Sequence, residues 1–427
     1  MSTHVKACAW MSRYVVMKQH LLSALLALLL FLPARAQLNF SDSLRISLLT
    51  CTQGPDAYER FGHAGLRIQD LRDPQLDVTF HYGVFSFKTP HFVYRFVKGE
   101  TDYQLGALYT RDFIDEYGER GLGMTEQWLR LDSAQCQNMV QRLLINYLPE
   151  NRTYRYSYFF DNCSTRPYHL LQASTQESIV YDTAWVNGIT LRGMVQEKTG
   201  RGNWLDFGIA LAVAGRADVP TTFEEELFLP DYLARAVSHA MIPVNVADTT
   251  VMLPLVDKSD TLLTMRQDVA DQIAAPDPIR PATLLAAVLL LGLIVSAIDW
   301  NNHRRLLADS RGQRSFSWAV NTYDTVLLVA TGLTGAIVWF LNFLSLHPAV
   351  DHNLNCLWLL PTHVIVAGLV WARGARKVCS IYFGITFALI ILYVVMDWIL
   401  GQYCPKEFLL LLATLLLRSY CRMALKR

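Results

Sequence analysis

Three residues in the first half of the chain could carry nucleophilic chemistry. Cys163 sits in Asp161-Asn162-Cys163-Ser164-Thr165-Arg166, between a β-like run and a helix start. A thiol at a helix N-terminus lies in the field of unpaired N–H groups, which favours the thiolate. The same N–H groups can hold the oxyanion of an acyl-transfer intermediate. His63 supplies an imidazole to take the thiol proton, and His81 a second polar group to orient it, with Asp161 or Asn162 as substitutes. Other readings stay open on the residues alone. Cys163 could pair with Cys51 or Cys136, or be a buried apolar thiol. Either histidine could be a packed core residue. Arg67 with Asp77 could be a supporting group or a plain cross-strand ion pair. No His/Cys cluster has zinc spacing, so neither a metal nor a cofactor is expected.

The elements that must position these residues follow from the pattern around them. Leu44–Leu49 is β-like, and Phe61–Gln69 and Asp77–Phe87 alternate as two strands about Leu71-Arg72-Asp73-Pro74. Pairing residues whose numbers sum to 144 puts Ala64 against Phe80 and Leu66 against Val78 on one face. On the other face Arg67 then meets Asp77, and His63 meets His81. Ser133–Tyr147 reads as an amphipathic helix capped by Asp132 or Ser133. Tyr154–Phe160 reads as a strand with Tyr154, Tyr156 and Tyr158 on one face. The cysteine motif then opens a helix to about Thr175, with Pro167 in its first turn. Residues 203–240 read as helix and loop packing anchored by Trp204, Phe207 and Pro230, and Pro276–Pro281 as a linker.

Composition says where this domain works. The chain has 427 residues, 52% hydrophobic and only 18% charged, with 38 Lys+Arg against 37 Asp+Glu. That balance excludes a basic field for nucleic acid, and the hydrophobicity excludes disorder. Lys18 and His20 precede the apolar run Leu21–Leu32, and Ala34-Arg35-Ala36 completes a signal-peptide pattern with cleavage before Gln37. The start could equally be Met17. Four long apolar runs follow the linker, at 282–299, 323–343, 355–371 and 378–400, and a weaker fifth at 404–420. Arg304, Arg305, Arg311 and Arg314 follow the first run, and Arg373, Arg376 and Lys377 follow the third. The tail carries Arg418, Arg422, Lys426 and Arg427, while the intervening loops hold only Lys406. The alternation predicts five spans, with residues 37–280 outside and the C-terminus in the cytoplasm.

Several segments together resemble one family. They are SLLTCTQGPDAYERFGHAGLR, HYGVFSF, FVKGETDYQLG, TYRYSYFFDNCSTR, WLDFGIAL and FLPDYL, with HPAVDHNLNCLWLLP in the apolar part. Histidine before cysteine, in FGHAGLRI and FFDNCSTR, is similar to circularly permuted papain-like (NlpC/P60-like) hydrolases and to lecithin:retinol acyltransferase relatives. The whole set resembles the Lnb-type lipoprotein N-acyltransferases of Gram-negative bacteria. The resemblance implies an α+β, permuted papain-like periplasmic catalytic domain over residues 37–280. It is followed by an all-α transmembrane domain of five helices over 281–427, in the inner membrane. It implies Cys163 as nucleophile and His63 as base; the family frequently has asparagine where this chain has His81. It also implies acyl transfer from membrane phospholipid to the α-amino group of diacylglyceryl-cysteine at a lipoprotein N-terminus.

A thioester on Cys163 that an amine then attacks is ping-pong covalent catalysis, and lipid-anchored substrates explain the membrane spans. Polar groups gather at the outer ends of those spans, among them His347, His352, Asn353 and Asn355. They are candidate lipid-side groups, or helix-to-helix contacts. The competing readings are a membrane-tethered cysteine hydrolase acting on peptidoglycan peptides or lipid esters, and a non-catalytic envelope-binding domain.

Overall fold

Leu44–Cys51 (β1) is buried on both faces at every position but Arg45, as a central strand must be. The computed structural model describes residues 43–186, 188–246, 249–308 and 317–424; the expected signal peptide lies outside the described residues. His63–Asp70 (β2) and Asp73–Val84 (β3) follow β1, then Phe92–Lys98 (α1), Asp102–Tyr109 (β4), Thr110–Glu119 (α2) and Met124–Leu129 (β5). Next come Ser133–Tyr147 (α3), Thr153–Arg155 (β6), Thr165–Ser174 (α4), Leu191–Thr199 (α5), Trp204–Ala212 (α6) and Pro230–His239 (α7). Met241–Val246 (β7), Thr249–Pro254 (β8), Val256–Leu263 (β9) and Gln267–Ala274 (α8) complete a mixed α/β domain.

One antiparallel sheet runs β6-β4-β3-β2-β1-β5-β9, and β7 pairs with β8 beside it. Leu66, Ile68 and Phe80 point to the face covered by α3, α4 and α7. His63, His81, Arg67 and Asp77 lie on the other face, where α2 places Phe113. Helix α3 begins where its cap requires. Asp132 accepts the Gln135 amide at 2.8 Å, and the Gln135 side chain accepts the Asp132 amide at 3.0 Å.

The pairing of β2 with β3 differs from the expected register by two residues. Leu66 pairs with Phe80, Ile68 with Val78 and Gln69 with Asp77. A tight turn does close Asp70 on Asp73, but Pro74 has no N–H for the ladder, and the register shifts before Gln69 meets Asp77. A two-residue slip keeps every side chain on its expected face. Arg67 therefore still reaches Asp77, diagonally, at 2.6 and 2.8 Å. It also bonds Glu126 at 2.9 Å, which in turn accepts from Ser47 at 2.6 Å.

The expected strand over 154–160 stops at Arg155. Ser157 and Asp161 exchange backbone hydrogen bonds of 3.0 Å and turn the chain toward the cysteine, so Tyr158 leaves the stripe and packs on Phe159 and Phe228. All seven cysteines among the described residues are free thiols, so Cys163 pairs with neither Cys51 nor Cys136.

Beyond the linker stand Pro281–Ala308 (α9), Ser317–Leu344 (α10), His363–Leu369 (α11), Arg376–Leu400 (α12) and Lys406–Ala424 (α13). Helices α9, α10 and α12 are long and apolar enough to cross a membrane. The third apolar run is not one helix. A short 3-10 turn, Leu354–Leu357, leads through Pro361 into α11, whose seven residues are only about 10 Å long. Two of the tail arginines are not free positive charges either. Arg418 is buried against Asp324 at 2.7 Å and Asp299 at 3.3 Å, and Arg422 also meets Asp324. This network ties α9, α10 and α13 together.

Glu126 is 2% exposed and takes its counter-charge from Arg67. Removing one partner of a buried pair strands the other. Arg67→Ala should therefore destabilise the full-length protein in detergent by about 3 kcal/mol or more. Adding Glu126→Gln should recover much of the loss, as read by chemical denaturation. Equal stability of Arg67→Ala and wild type would show that the pair contributes nothing.

Candidate active site

His63 opens β2 directly after Gly62, which turns at φ +74°. Its Nε2 lies 3.0 Å from His81 Nδ1, and the two rings meet edge to face at 5.2 Å. The register shift makes this a diagonal contact across the hairpin. Phe113 backs both rings from α2, at 6.5 and 5.3 Å.

Beyond His81 the ladder to β4 slips between His81 and Val84, a bulge that carries Gly83 at φ +93°. A Cβ on Gly83 would stand 3.8 Å from both Cys163 Cβ and His63 Cε1. The cysteine and the imidazole thus both border a glycine whose backbone only glycine adopts freely. Among the described residues no hydrogen bond joins them. Such bonds are often long before substrate binds.

Asn162 fixes the cysteine loop. Its Oδ1 accepts the amides of Ser164 at 2.8 Å and Thr165 at 3.0 Å, and its Nδ2 donates to Tyr158 O and Phe228 O. Asn162 is therefore a loop pin and does not orient His63. Asp161 does not do so either, because both its oxygens hold Arg166 at 2.6 and 2.8 Å. Arg166 in turn covers the Tyr154 ring at 3.5 Å. Of the three candidate orienting groups, only His81 touches His63.

Burial dominates the electrostatics. It lifts the Cys163 thiol to about 11, against the backbone amides of Ala64 and Cys163 itself, which favour the thiolate. Burial also lowers His63 to about 4, with a smaller push from Arg120, and His81 to about 3, with a smaller push from His63. At neutral pH the site holds a thiol and two neutral imidazoles. One imidazole donates to the other across this contact; when His63 Nε2 carries the proton, its Nδ1 is the nitrogen free to accept another. The two amides beside the sulfur can stabilise an oxyanion formed there.

Arg67 is four residues along β2 from His63 and is spent on its ion pairs. The four candidate lipid-side groups also find other partners. Asn353 Nδ2 donates to Leu211 O and Ala212 O, and Asn355 Nδ2 to Ala210 O and Leu211 O. Both asparagines are buried and finish the C-terminal turn of α6, so neither faces lipid. His347 Nε2 bonds Phe96 O at 2.6 Å. His352 is exposed at φ +56°, with Asp351 at 3.1 Å. Sequence reasoning missed Gly83, although a glycine inside a strand pattern is a bulge signal. It also missed the Ala64 amide beside the thiol.

Residues 35–189 match the Lnb N-terminal periplasmic domain, and residues 273–427 match the Lnb transmembrane domain. His63, His81 and Cys163 all fall in the first match. No curated protein and no solved structure matches the chain.

A thiol protonated at rest makes a simple kinetic demand. Alkylation of Cys163 by iodoacetamide, followed by mass spectrometry, should rise about tenfold per pH unit between roughly pH 7 and 9. A rate already flat across that range would mean a preformed thiolate–imidazolium pair.

Proposed function

The chain belongs to the Lnb family, and from that premise we propose that it is a membrane-anchored thiol acyltransferase. In this reading it moves an acyl chain from phospholipid, through a Cys163 thioester, to the N-terminal amine of a diacylated lipoprotein. The observation that carries the reading is the grouping of Cys163, the amides of Ala64 and Cys163, and the His63–His81 pair, in a domain hydrogen-bonded to the segment that follows a membrane helix. The exported domain is read as permuted papain-like, with five membrane segments and a cytoplasmic tail.

The steps follow from the chemistry of these groups. His63 Nδ1 takes the thiol proton as the sulfur attacks the ester carbonyl of the donor. The oxyanion forms toward the Ala64 and Cys163 amides. Its collapse breaks the ester C–O bond, and His63 returns the proton to the leaving alkoxide, giving a lysophospholipid and the thioester. The acceptor amine then attacks the thioester carbonyl, His63 takes a proton from that amine, and the thiol leaves reprotonated. His81 orients His63 through its Nδ1 and stabilises the imidazolium formed in each half-reaction. Burial of the site disfavours water as the competing acceptor, which separates transfer from hydrolysis.

Purified full-length protein in phospholipid micelles should form an acyl thioester on Cys163, cleavable by neutral hydroxylamine, and Cys163→Ser should form none. A diacylated lipopeptide with a free α-amine should discharge the thioester into an amide, and its N-acetylated counterpart should not. Drainage to free fatty acid at one rate with and without lipopeptide would make the protein a hydrolase.

A further inference from the structure

Helix α1 is out of place in a water-facing domain. Its sequence, Phe92-Val93-Tyr94-Arg95-Phe96-Val97-Lys98, is mostly apolar, yet none of its residues is buried. Val93 is 73% exposed, Tyr94 54% and Phe96 46%, and Phe87 in the turn before it is 63% exposed. A short helix gains its stability from packing an apolar face, so a face this apolar implies a nonaqueous neighbour.

The structure places that neighbour. The C-terminal turn of α1 is hydrogen-bonded to the segment that leaves α10. Leu346 N–H donates to Lys98 O at 2.8 Å, and Ser345 Oγ donates to Val97 O at 2.8 Å. Gly99 at φ +75° permits the approach, since a Cβ there would stand 2.8 Å from His347 N. Tyr94 meets Phe340 edge to face at 6.0 Å. The end of α10 is exposed and apolar at Phe343 and Leu344, and so is Leu346 just beyond it. The exposed side of α1 therefore continues the lipid-facing surface of a membrane helix at its outer end. Lys98 lies over Tyr94 and pairs with Glu100, as a cation does at headgroup level.

A path of rings leads inward from this ridge. Phe87 touches Phe92, Phe92 stacks on Phe85, and Phe85 stacks on Tyr103 at 4.9 Å. Tyr103 meets Tyr156 at 4.2 Å, and Tyr156 packs on the core cluster that holds Cys163. Phe85 is two residues beyond Gly83, so ridge and nucleophile share one short stretch of chain.

We propose that residues 85–98 form an interfacial element sunk in the outer face of the bilayer, which draws the acyl chains of a donor phospholipid along the Phe85–Tyr103–Tyr156 path to Cys163. The embedding stands on the geometry of α1 and α10. The role in donor delivery rests on the acyl-transfer reading above. The occupant is phospholipid, because the surface is continuous with helices long enough to span a membrane.

The test uses full-length protein in phosphatidylethanolamine–phosphatidylglycerol vesicles containing a phospholipid with a diazirine on its acyl chain. Illumination and peptide mass spectrometry should find lipid adducts on Thr89–Lys98 as well as on α10. None should appear on the β7–β8 hairpin, which also exposes apolar side chains, Val246 and Met252. Val93→Asp should slow Cys163 acylation from vesicle phospholipid at least tenfold more than acylation from a soluble short-chain ester. Adducts on α10 without any on Thr89–Lys98 would overturn the embedding and leave α1 as a surface for a protein partner. Equal slowing with both donors would overturn the delivery role. Adducts on Thr89–Lys98 with no acylation of Cys163 from either donor would uphold the embedding and sink the acyl-transfer reading instead.

Discussion

The site depends on the bulge at Gly83. At this point the ladder of β3 with β4 slips, at a positive φ, and the space that a side chain would fill borders both Cys163 and His63. A side chain at this position would press on both Cys163 and His63 and strain a backbone at positive φ. The bulge also re-aims the chain toward Phe85, so one local irregularity sets both the spacing of the reacting groups and the start of the aromatic path. The surrounding sheet holds it in place. The Arg67–Asp77–Glu126 network locks the β2–β3 hairpin, and Asn162 locks the cysteine loop from the opposite side.

A second constraint is the height of the site relative to the membrane helices. Asn353 and Asn355 bind the last carbonyls of α6, Tyr403 N–H bonds Asp218, and Leu346 bonds Lys98. These contacts come from three separate stretches of the membrane part and meet three separate stretches of the exported domain. They leave little freedom for tilting. The polar residues at the outer ends of the helices thus satisfy backbone groups at a domain junction. That also explains their cost-free presence beside apolar surface, because a buried polar group is tolerated when it is paired.

Burial gives the site its resting state. The thiol and both imidazoles are held neutral, so no charge is stranded among aromatic rings when substrate is absent. In the proposed reaction the thiolate would arise only as His63 takes the proton, beside the amides of Ala64 and Cys163, which favour it.

Much of this was legible in the residues. The strand faces, the start and cap of α3, the cysteine ahead of α4 and three of the apolar helices follow from patterns within a few residues, because side-chain period and capping are local properties. The two-residue register shift was not legible. It arises from Pro74 interrupting the ladder, and alternation of faces is unchanged by a slip of two. The partners of Asn162, Asn353, Asn355 and Arg418 were equally hidden, since each bonds groups dozens to more than a hundred positions away. The third apolar run looked like a span by composition, yet Pro361 and the demand of α6 for buried donors turned it into a short turn and a stub of helix. The sequence alone determined which residue types lie on which face and which thiol and imidazoles could meet. Tertiary structure decided which of them do, because a hydrogen bond or an ion pair is chosen by whatever the fold brings within about 3 Å.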